Sequence, residues 1–251
     1  MASFLKRLFR SNAPAPKSAD FLNFLGTDMH AHLLPGLDDG AESMSQALAM
    51  VRQMQQLGYQ KLILTPHIMG DFYKNTPAGI KATLTALQTA VQQEQIPVEL
   101  ECAAEYYLDE WFVQKIEEKE PLLSFGANYV LIETSYINEP MRFQDIIFQI
   151  KSNGYKPVLA HPERYSYLFN RWNHLVEWHE NEVLFQVNLN SLTGYYGSES
   201  KRIATKLVEH KLIDFVGTDA HSEKHIQFLQ KLPATAAFKK LQQLPLRNQT
   251  L

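Results

Sequence analysis

From Phe21 onward, short apolar runs alternate with longer segments whose apolar residues recur near every 3.6 positions, and no Pro/Gly/Ser-rich linker interrupts the series. This order constrains the fold more than any other feature, because alternating strands and helices build a parallel sheet covered by the helices between its strands. The strand candidates are Leu22 to Met29, Lys61 to Thr65, Val98 to Ala104, Tyr129 to Ile132, Pro157 to Ala160, Val183 to Leu189 and Ile213 to Gly217. Helical periodicity marks Ser43 to Leu57, Ile80 to Glu94, Phe143 to Ser152 and Ser200 to His210. Ser43 suits the cap of the first long helix, and Gly58 stands where a left-handed residue ends one.

Periodicity alone does not choose between a closed barrel and an open doubly wound sheet. The polar residues favour the barrel. His30 and His32, His67, Glu105, Glu133, His161, and Asp219 with His221 all fall at or just beyond the C-terminal ends of strand candidates. Side chains leaving nearly every strand at one end converge only around a common mouth.

In extended backbone, alternate residues face the same way, so His30 and His32 can reach one metal. A lone HxH pair is weak evidence. The other strand ends strengthen it: five of the nine histidines lie there, and an acid pressed among apolar neighbours, as Glu133 is, needs a compensating charge. His174, His179, His210 and His225 fall in predicted helices and are read as ordinary solvated or capping residues. Imidazole and carboxylate donors without thiolate suit Mn, Fe, Co or Zn better than Ca.

The length of 251 residues fits one large domain, expected over 21–251 after a flexible tail at 1–20. The charge of -3, from 24 Lys+Arg against 27 Asp+Glu, supplies no basic excess for nucleic acid or an anionic membrane. No apolar run is long enough for a membrane span, and Lys6, Arg7 and Arg10 break up the apolar residues that an export signal would need. The single Cys102 excludes an internal disulfide and is compatible with a reducing compartment, so the cytoplasm is expected. Leu108 stands six residues after Cys102, where a phosphate-cradling cysteine loop needs arginine.

The run His30-Ala31-His32-Leu33-Leu34-Pro35-Gly36-Leu37-Asp38-Asp39-Gly40 is followed in order by five more motifs. These are Thr65-Pro66-His67, Glu105-Tyr106-Tyr107, Leu131-Ile132-Glu133, His161-Pro162-Glu163-Arg164-Tyr165 and Thr218-Asp219-Ala220-His221. Together they resemble the bacterial PHP-domain (polymerase and histidinol phosphatase) tyrosine phosphatases of capsule and exopolysaccharide loci, over Asp28 to His221. The resemblance implies an α/β fold, a distorted seven-stranded (β/α) TIM-like barrel. It implies two or three divalent ions, manganese foremost. By position, His30, His32, Glu105 and Asp219 would hold one; Glu105, Glu133 and His161 a second; Asp39, His67 and His221 a third. Arg164 corresponds to the phosphate-binding arginine, and catalysis falls to Arg164, His221 and Asp39. A second basic group found in some relatives has only Lys224, with His225 beside it, to match it here.

The resemblance implies hydrolysis of phosphotyrosine in protein, on a membrane-associated bacterial tyrosine kinase that controls polysaccharide synthesis; from the metal chemistry, direct in-line attack by activated water with no covalent phosphoenzyme is the expected route. Histidinol phosphate or another small monoester presents the same dianion, so the residues themselves leave both substrates open. Phe72, Tyr73, Tyr136 and Tyr165 flank the site motifs and offer rings either for stacking on a substrate or for packing the rim. A phosphodiesterase or nuclease fits poorly with the absent basic surface, and a non-catalytic, metal-stabilised binding module has no use for Arg164.

Overall fold

The computed structural model describes residues 20–251. The tail expected at 1–20 lies, apart from Asp20, outside the described residues.

Among the described residues are nine short strands, every paired one parallel to its neighbour. They are β1 (Thr27–Asp28), β2 (Lys61–Leu64), β3 (His67–Ile68), β4 (Glu99–Cys102), β5 (Glu105–Tyr107), β6 (Tyr129–Glu133), β7 (Lys156–Ala160), β8 (Leu184–Asn188) and β9 (Phe215–Gly217). One sheet has the order β1-β2-β4 and the other β3-β5-β6-β7-β8-β9. The helices between them are α1 (Met44–Gln56), α2 (Pro77–Gln93), α3 (Glu110–Glu117), α4 (Phe143–Ser152), α5 (Trp172–Glu180), α6 (Leu189–Thr193) and α7 (Ser198–His210), and α8 (Glu223–Phe228) and α9 (Ala236–Leu241) follow β9.

The parallel α/β architecture agrees with the sequence reading, but the seven strands of one closed barrel do not appear as such. The strands expected at Lys61 to Thr65 and Val98 to Ala104 appear as β2 and β4, and each is followed after two residues by a further short strand that the sequence reading does not include. β2 and β3 are separated by Thr65 and Pro66, the latter without an N–H to donate to a ladder. β4 and β5 are separated by Ala103 and Ala104. Each break passes the chain from one sheet to the other. It also lets His67 and Glu105 start new strands and pair directly with each other, instead of trailing from the ends of old ones.

The edges β1 and β9 approach without forming a ladder. The Asp219 N–H donates to the His30 carbonyl (2.8 Å) and the His32 N–H to the Ala220 carbonyl (3.0 Å). Met29, Ile63, Ala103, Leu131, Val158 and Phe215, drawn from both sheets, share one buried apolar cluster. The helices cover the outer faces by the expected periodicity; α1 buries Ala47, Met50, Val51 and Met54, and the Ser43 hydroxyl accepts from the Gln46 N–H at its start. Gly58 is left-handed, as expected after α1. No helix among the described residues is long and apolar enough to cross a membrane.

At the end of the sheets remote from the polar strand ends, buried Asn248 joins the two edges. Its amide nitrogen donates to the carbonyls of Thr27 (3.0 Å) and Val216 (2.8 Å), and its oxygen accepts from the Val216 N–H (2.9 Å). Asn248→Ala leaves these backbone groups without partners. We expect it to cost about 2–4 kcal/mol, read as a lower urea midpoint with an unchanged denaturant slope.

Candidate metal centre

β1 runs straight into His30, Ala31 and His32, all fully buried. The following turn folds back so closely that a Cβ at Gly40 would stand 2.0 Å from the His32 carbonyl oxygen, and only glycine fits there. The same turn carries Asp38 and Asp39. Asp38 accepts from the Gly40 N–H (3.0 Å) and the His67 N–H (3.0 Å), and lies 2.8 Å from His32 Nδ1. Opposite, Gly217 in β9 gives His30 its space, since a Cβ there would meet the His30 Cβ at 2.7 Å.

These elements converge on Glu105, which has no solvent exposure. Its Oε2 lies 3.2 Å from His30 Nε2, 3.3 Å from His32 Nε2 and 3.2 Å from His67 Nδ1; its Oε1 lies 3.2 Å from His161 Nε2. Asp219 Oδ1 stands 3.5 Å from the Nε2 atoms of both His30 and His32. Glu133 stands 3.6 Å from His67 and from His161. At the rim, Asp39 Oδ1 is 3.6 Å from His67 Nε2 and 3.4 Å from His221 Nε2. All nine residues expected to hold metal are therefore brought together.

Four overlapping sets have donor atoms close enough to share an ion: His32, Asp39, His67 and His221; His30, His32 and Asp219; His30, Glu105 and His161; His67, Glu105 and Glu133. The unsatisfied atoms test whether cations fit. His67 Nδ1 and Glu105 Oε2 are buried and close, yet neither makes a hydrogen bond. Facing donor atoms that do not bond each other are what a shared cation needs.

The electrostatics agree. Burial opposes charge on His30, but the Glu105 and Asp219 carboxylates beside it push it up to about 9. Burial likewise opposes charge on His32, and Asp38 with its other acidic neighbours holds it well above the usual imidazole range. Against its burial, Glu105 is held well below the carboxylate range by His30 and His67. Burial, with Glu105 adjacent, lifts Glu133 well above that range. Burial takes His161 down to about 4. Without cations, part of the cluster must be protonated.

A polar relay behind the cluster fixes its tautomers. The Asn188 amide donates to Asp219 Oδ2 (2.7 Å), so its oxygen faces the Gln186 amide nitrogen (2.9 Å), and the Gln186 oxygen faces His30 Nδ1 (2.8 Å). That order makes Nδ1 the donor and leaves Nε2 for the cluster. Asp38 does the same for His32. None of Asp38, Gln186 and Asn188 is singled out by the sequence reading, although Gln186 and Asn188 alternate conspicuously within apolar β8. His161 and Asp219 have left-handed backbones (φ 34° and 50°), a conformation unfavourable for side-chain-bearing residues.

The cluster opens into a cavity of about 430 Å³. At its mouth the Arg164 guanidinium donates to Asp219 Oδ2 (2.7 Å) and lies between the rings of Tyr136 (4.7 Å) and Tyr196 (4.1 Å). Lys224 does not line this cavity and is exposed, whereas His225 does line it, against the expectation that it is an ordinary helix residue. The reason is helical rotation: α8 starts just after His221, and His225 accepts from the His221 N–H at 3.2 Å while its neighbour turns outward. The flanking aromatics divide. Tyr73 stacks on His67 and Tyr136 on His161, Tyr165 is buried, and Phe72 is exposed. Cys102 lies apart from the cavity, its thiol pushed up by burial.

Residues 26–240 match the family model for capsular polysaccharide synthesis, CpsB/CapC. The chain is 31% identical to the tyrosine-protein phosphatase YwqE of Bacillus subtilis, covering 80% of this chain and 79% of that protein. It is 23% identical to the tyrosine-protein phosphatase CpsB of Streptococcus pneumoniae, covering 78% and 82%. Among solved structures, it matches a chain from the crystal structures of YwqE and CpsB, described as metal-dependent tyrosine phosphatases, with a TM-score of 0.75 and 31% identity over 90% of this chain and 96% of that one.

His30 rises from an unfolded value of about 6.5 to about 9 in the metal-free fold. Its proton therefore contributes stability that is complete below about pH 6.5 and lost as pH rises through about 9. A divalent ion competes for the same nitrogen. Loading should release at least about one proton per chain at pH 7.5, and affinity should rise with pH; calorimetry in two buffers of different ionisation enthalpy reads both.

Proposed function

This chain belongs to the capsular polysaccharide synthesis CpsB/CapC family, and from that premise we propose that it is a metal-dependent protein-tyrosine phosphatase. Arg164 carries the reading: a guanidinium held by Asp219 and two tyrosine rings, at the mouth of a cavity floored by clustered imidazoles and acids. A structural metal site needs no such anion-binding group.

His30, His32, Glu105 and Asp219 would hold one ion, Glu105, Glu133 and His161 a second, and Asp39, His67 and His221 a third. The imidazole and carboxylate donor set suits manganese, iron, cobalt or zinc alike, and the family resemblance tilts the choice to manganese. Such ions neutralise phosphate oxygens and lower the pKa of bound water from ~16 toward ~7.

The chain's own residues do the rest. Arg164 can make two parallel contacts to a phosphoryl group, and its fixed plane orients that group for in-line attack. Burial works against its charge, but Asp219 beside it keeps the guanidinium firmly protonated. Tyr73 and Tyr136 supply flat walls for an aryl ester. Asp39 and His221, paired at the rim, are assigned to catalysis with Arg164, where the tyrosyl oxygen leaves and gains a proton.

The proposed substrate is a membrane-associated bacterial tyrosine kinase of a capsule or exopolysaccharide system, met in the cytoplasm; the capsular family and the relatives' phosphatase names support this. We read 21–251 as one catalytic domain and its two sheets as a distorted seven-stranded barrel. The shared apolar cluster, the backbone bonds between β1 and β9 edges and the Asn248 strap support that reading.

Arg164→Ala should lower kcat/KM on a phosphotyrosine peptide by about 10²–10³, with circular dichroism and metal content unchanged. Chelation should abolish turnover, Mn²⁺ should restore it, and a thiol alkylator should have no effect. Faster turnover of histidinol phosphate than of the peptide would overturn the substrate assignment.

A further inference from the structure

A second cavity, about 950 Å³, is larger than the metal cavity and plays no part in the chemistry above. It lies between α3 and α4, with Trp111, Val113, Met141 and Ile146 among its apolar lining. Met141 is 91% exposed and nearby Ile137 72% exposed. A lone exposed apolar residue needs no explanation, but two on one loop beside an apolar-lined groove do.

Two loops border both cavities. The first runs from His67 to Lys74: Met69 and Tyr73 line the metal cavity, while Gly70, Asp71 and Lys74 line the groove. It is anchored at both ends. Tyr73 stacks on His67 at 5.5 Å, and the Gly70 N–H donates to Asp109 Oδ2 (2.8 Å), whose other oxygen caps α3 through the Phe112 N–H (2.8 Å). The second loop leaves Glu133 at the end of β6; its Tyr136 lines the metal cavity and its Pro140, Met141 and Arg142 line the groove. The groove is thus continuous with the walls of the site.

Its charge is one-sided. Asp71, Asp109, Glu110, Glu117 and Asp145 line it against Lys74 and Arg142, and Arg142 is already paired with Asp145 at 3.1 Å. A phosphate would be repelled here, so the groove is no second anion site. An extended polypeptide with cationic and apolar side chains would find both complements.

We propose that this groove docks the polypeptide flanking the phosphotyrosine and selects substrate segments carrying a basic residue and an apolar residue beside the modified tyrosine. The proposal rests on the phosphatase reading and deepens it: the metal cavity takes the dianion, which every monoester shares, and the groove recognises the chain that bears it. A second copy of this chain covering the same face is the competing occupant.

The test uses the full metal-loaded chain and two phosphotyrosine peptides of one length, flanked by Lys and Leu in one and by Glu and Ser in the other. p-Nitrophenyl phosphate, too small to span the groove, is the reference. We expect roughly tenfold higher kcat/KM for the Lys/Leu peptide, carried mainly by KM and shrinking in high salt. Glu117→Lys should reduce the preference and Trp111→Ala should erase it, with reference turnover within twofold of the parent. Equal kcat/KM for the two peptides, or a preference untouched by both substitutions, would overturn the proposal. So would a dimer of the parent chain that Trp111→Ala converts to monomer. Fluorescence polarisation of labelled versions of both peptides is read alongside. Preferential binding of the Lys/Leu peptide without hydrolysis of any substrate would retire the phosphatase reading and keep the groove.

Discussion

The structure depends on a carboxylate placed where no carboxylate survives alone. Glu105 is fully buried and lies within 3.3 Å of nitrogens on four imidazoles, with Asp219 and Glu133 in the same enclosure. An ion buried without compensation costs several kcal/mol or more. Protons on His30 and His32, whose Nε2 atoms face Glu105 Oε2 at 3.2 and 3.3 Å, are one remedy, but they leave the buried His67 Nδ1 without a hydrogen-bond partner. Divalent cations would satisfy these atoms and neutralise the acids together. The extra strands serve the same need: β3 and β5, which follow β2 and β4 after two residues each, place His67 and Glu105 side by side in register.

Holding the donors costs further polar structure behind them. The relay from Asp219 through Asn188 and Gln186 to His30, and the contact of Asp38 with His32, decide which ring nitrogen each imidazole presents. The relay also ties Arg164 to the metal cluster, because Asp219 receives the Arg164 guanidinium and the Asn188 amide on the same oxygen. Under the proposed roles, loss of that carboxylate would disturb ligation and phosphate orientation together, while loss of Arg164 would disturb only the second. His161 and Asp219, with left-handed backbones (φ 34° and 50°), carry donors of this arrangement just past β7 and β9.

Much of this was legible in the sequence because apolar periodicity and polar strand ends are local patterns. The helices Met44–Gln56 and Phe143–Ser152 end within about a residue of where their periodicity says, and all nine expected ligands meet. Pro66 hinted at the first strand break; nothing in Ala103-Ala104 hinted at the second, since register between sheets is a property of the assembled fold. Gln186 and Asn188 form a period-two polar pair in an apolar strand, a signal that was present but carried no His or acid to draw notice. His225 and Lys224 exchanged places for a geometric reason: adjacent helix positions point about 100° apart, and only the cavity wall shows which one faces in. Tyr165 and Phe72, equivalent as loop aromatics in sequence, end at opposite extremes of burial.

The two cavities divide a problem that neither can solve alone. Clustered cations and a guanidinium respond to charge and to the geometry of a phosphoryl group, and a dianion looks the same on a protein, a sugar or an amino alcohol. Discrimination must come from contacts beyond the ester oxygen. The aromatic walls at Tyr73 and Tyr136 extend recognition by one ring. Beyond them the same two loops turn outward and the surface changes character, from a floor of imidazoles and acids to an apolar trough with an acidic margin. Loops fixed at one end by the catalytic cluster and at the other by α3 and α4 hold the ester and its flanking chain in one frame, so binding energy gained along the groove can be spent on aligning the phosphoryl group.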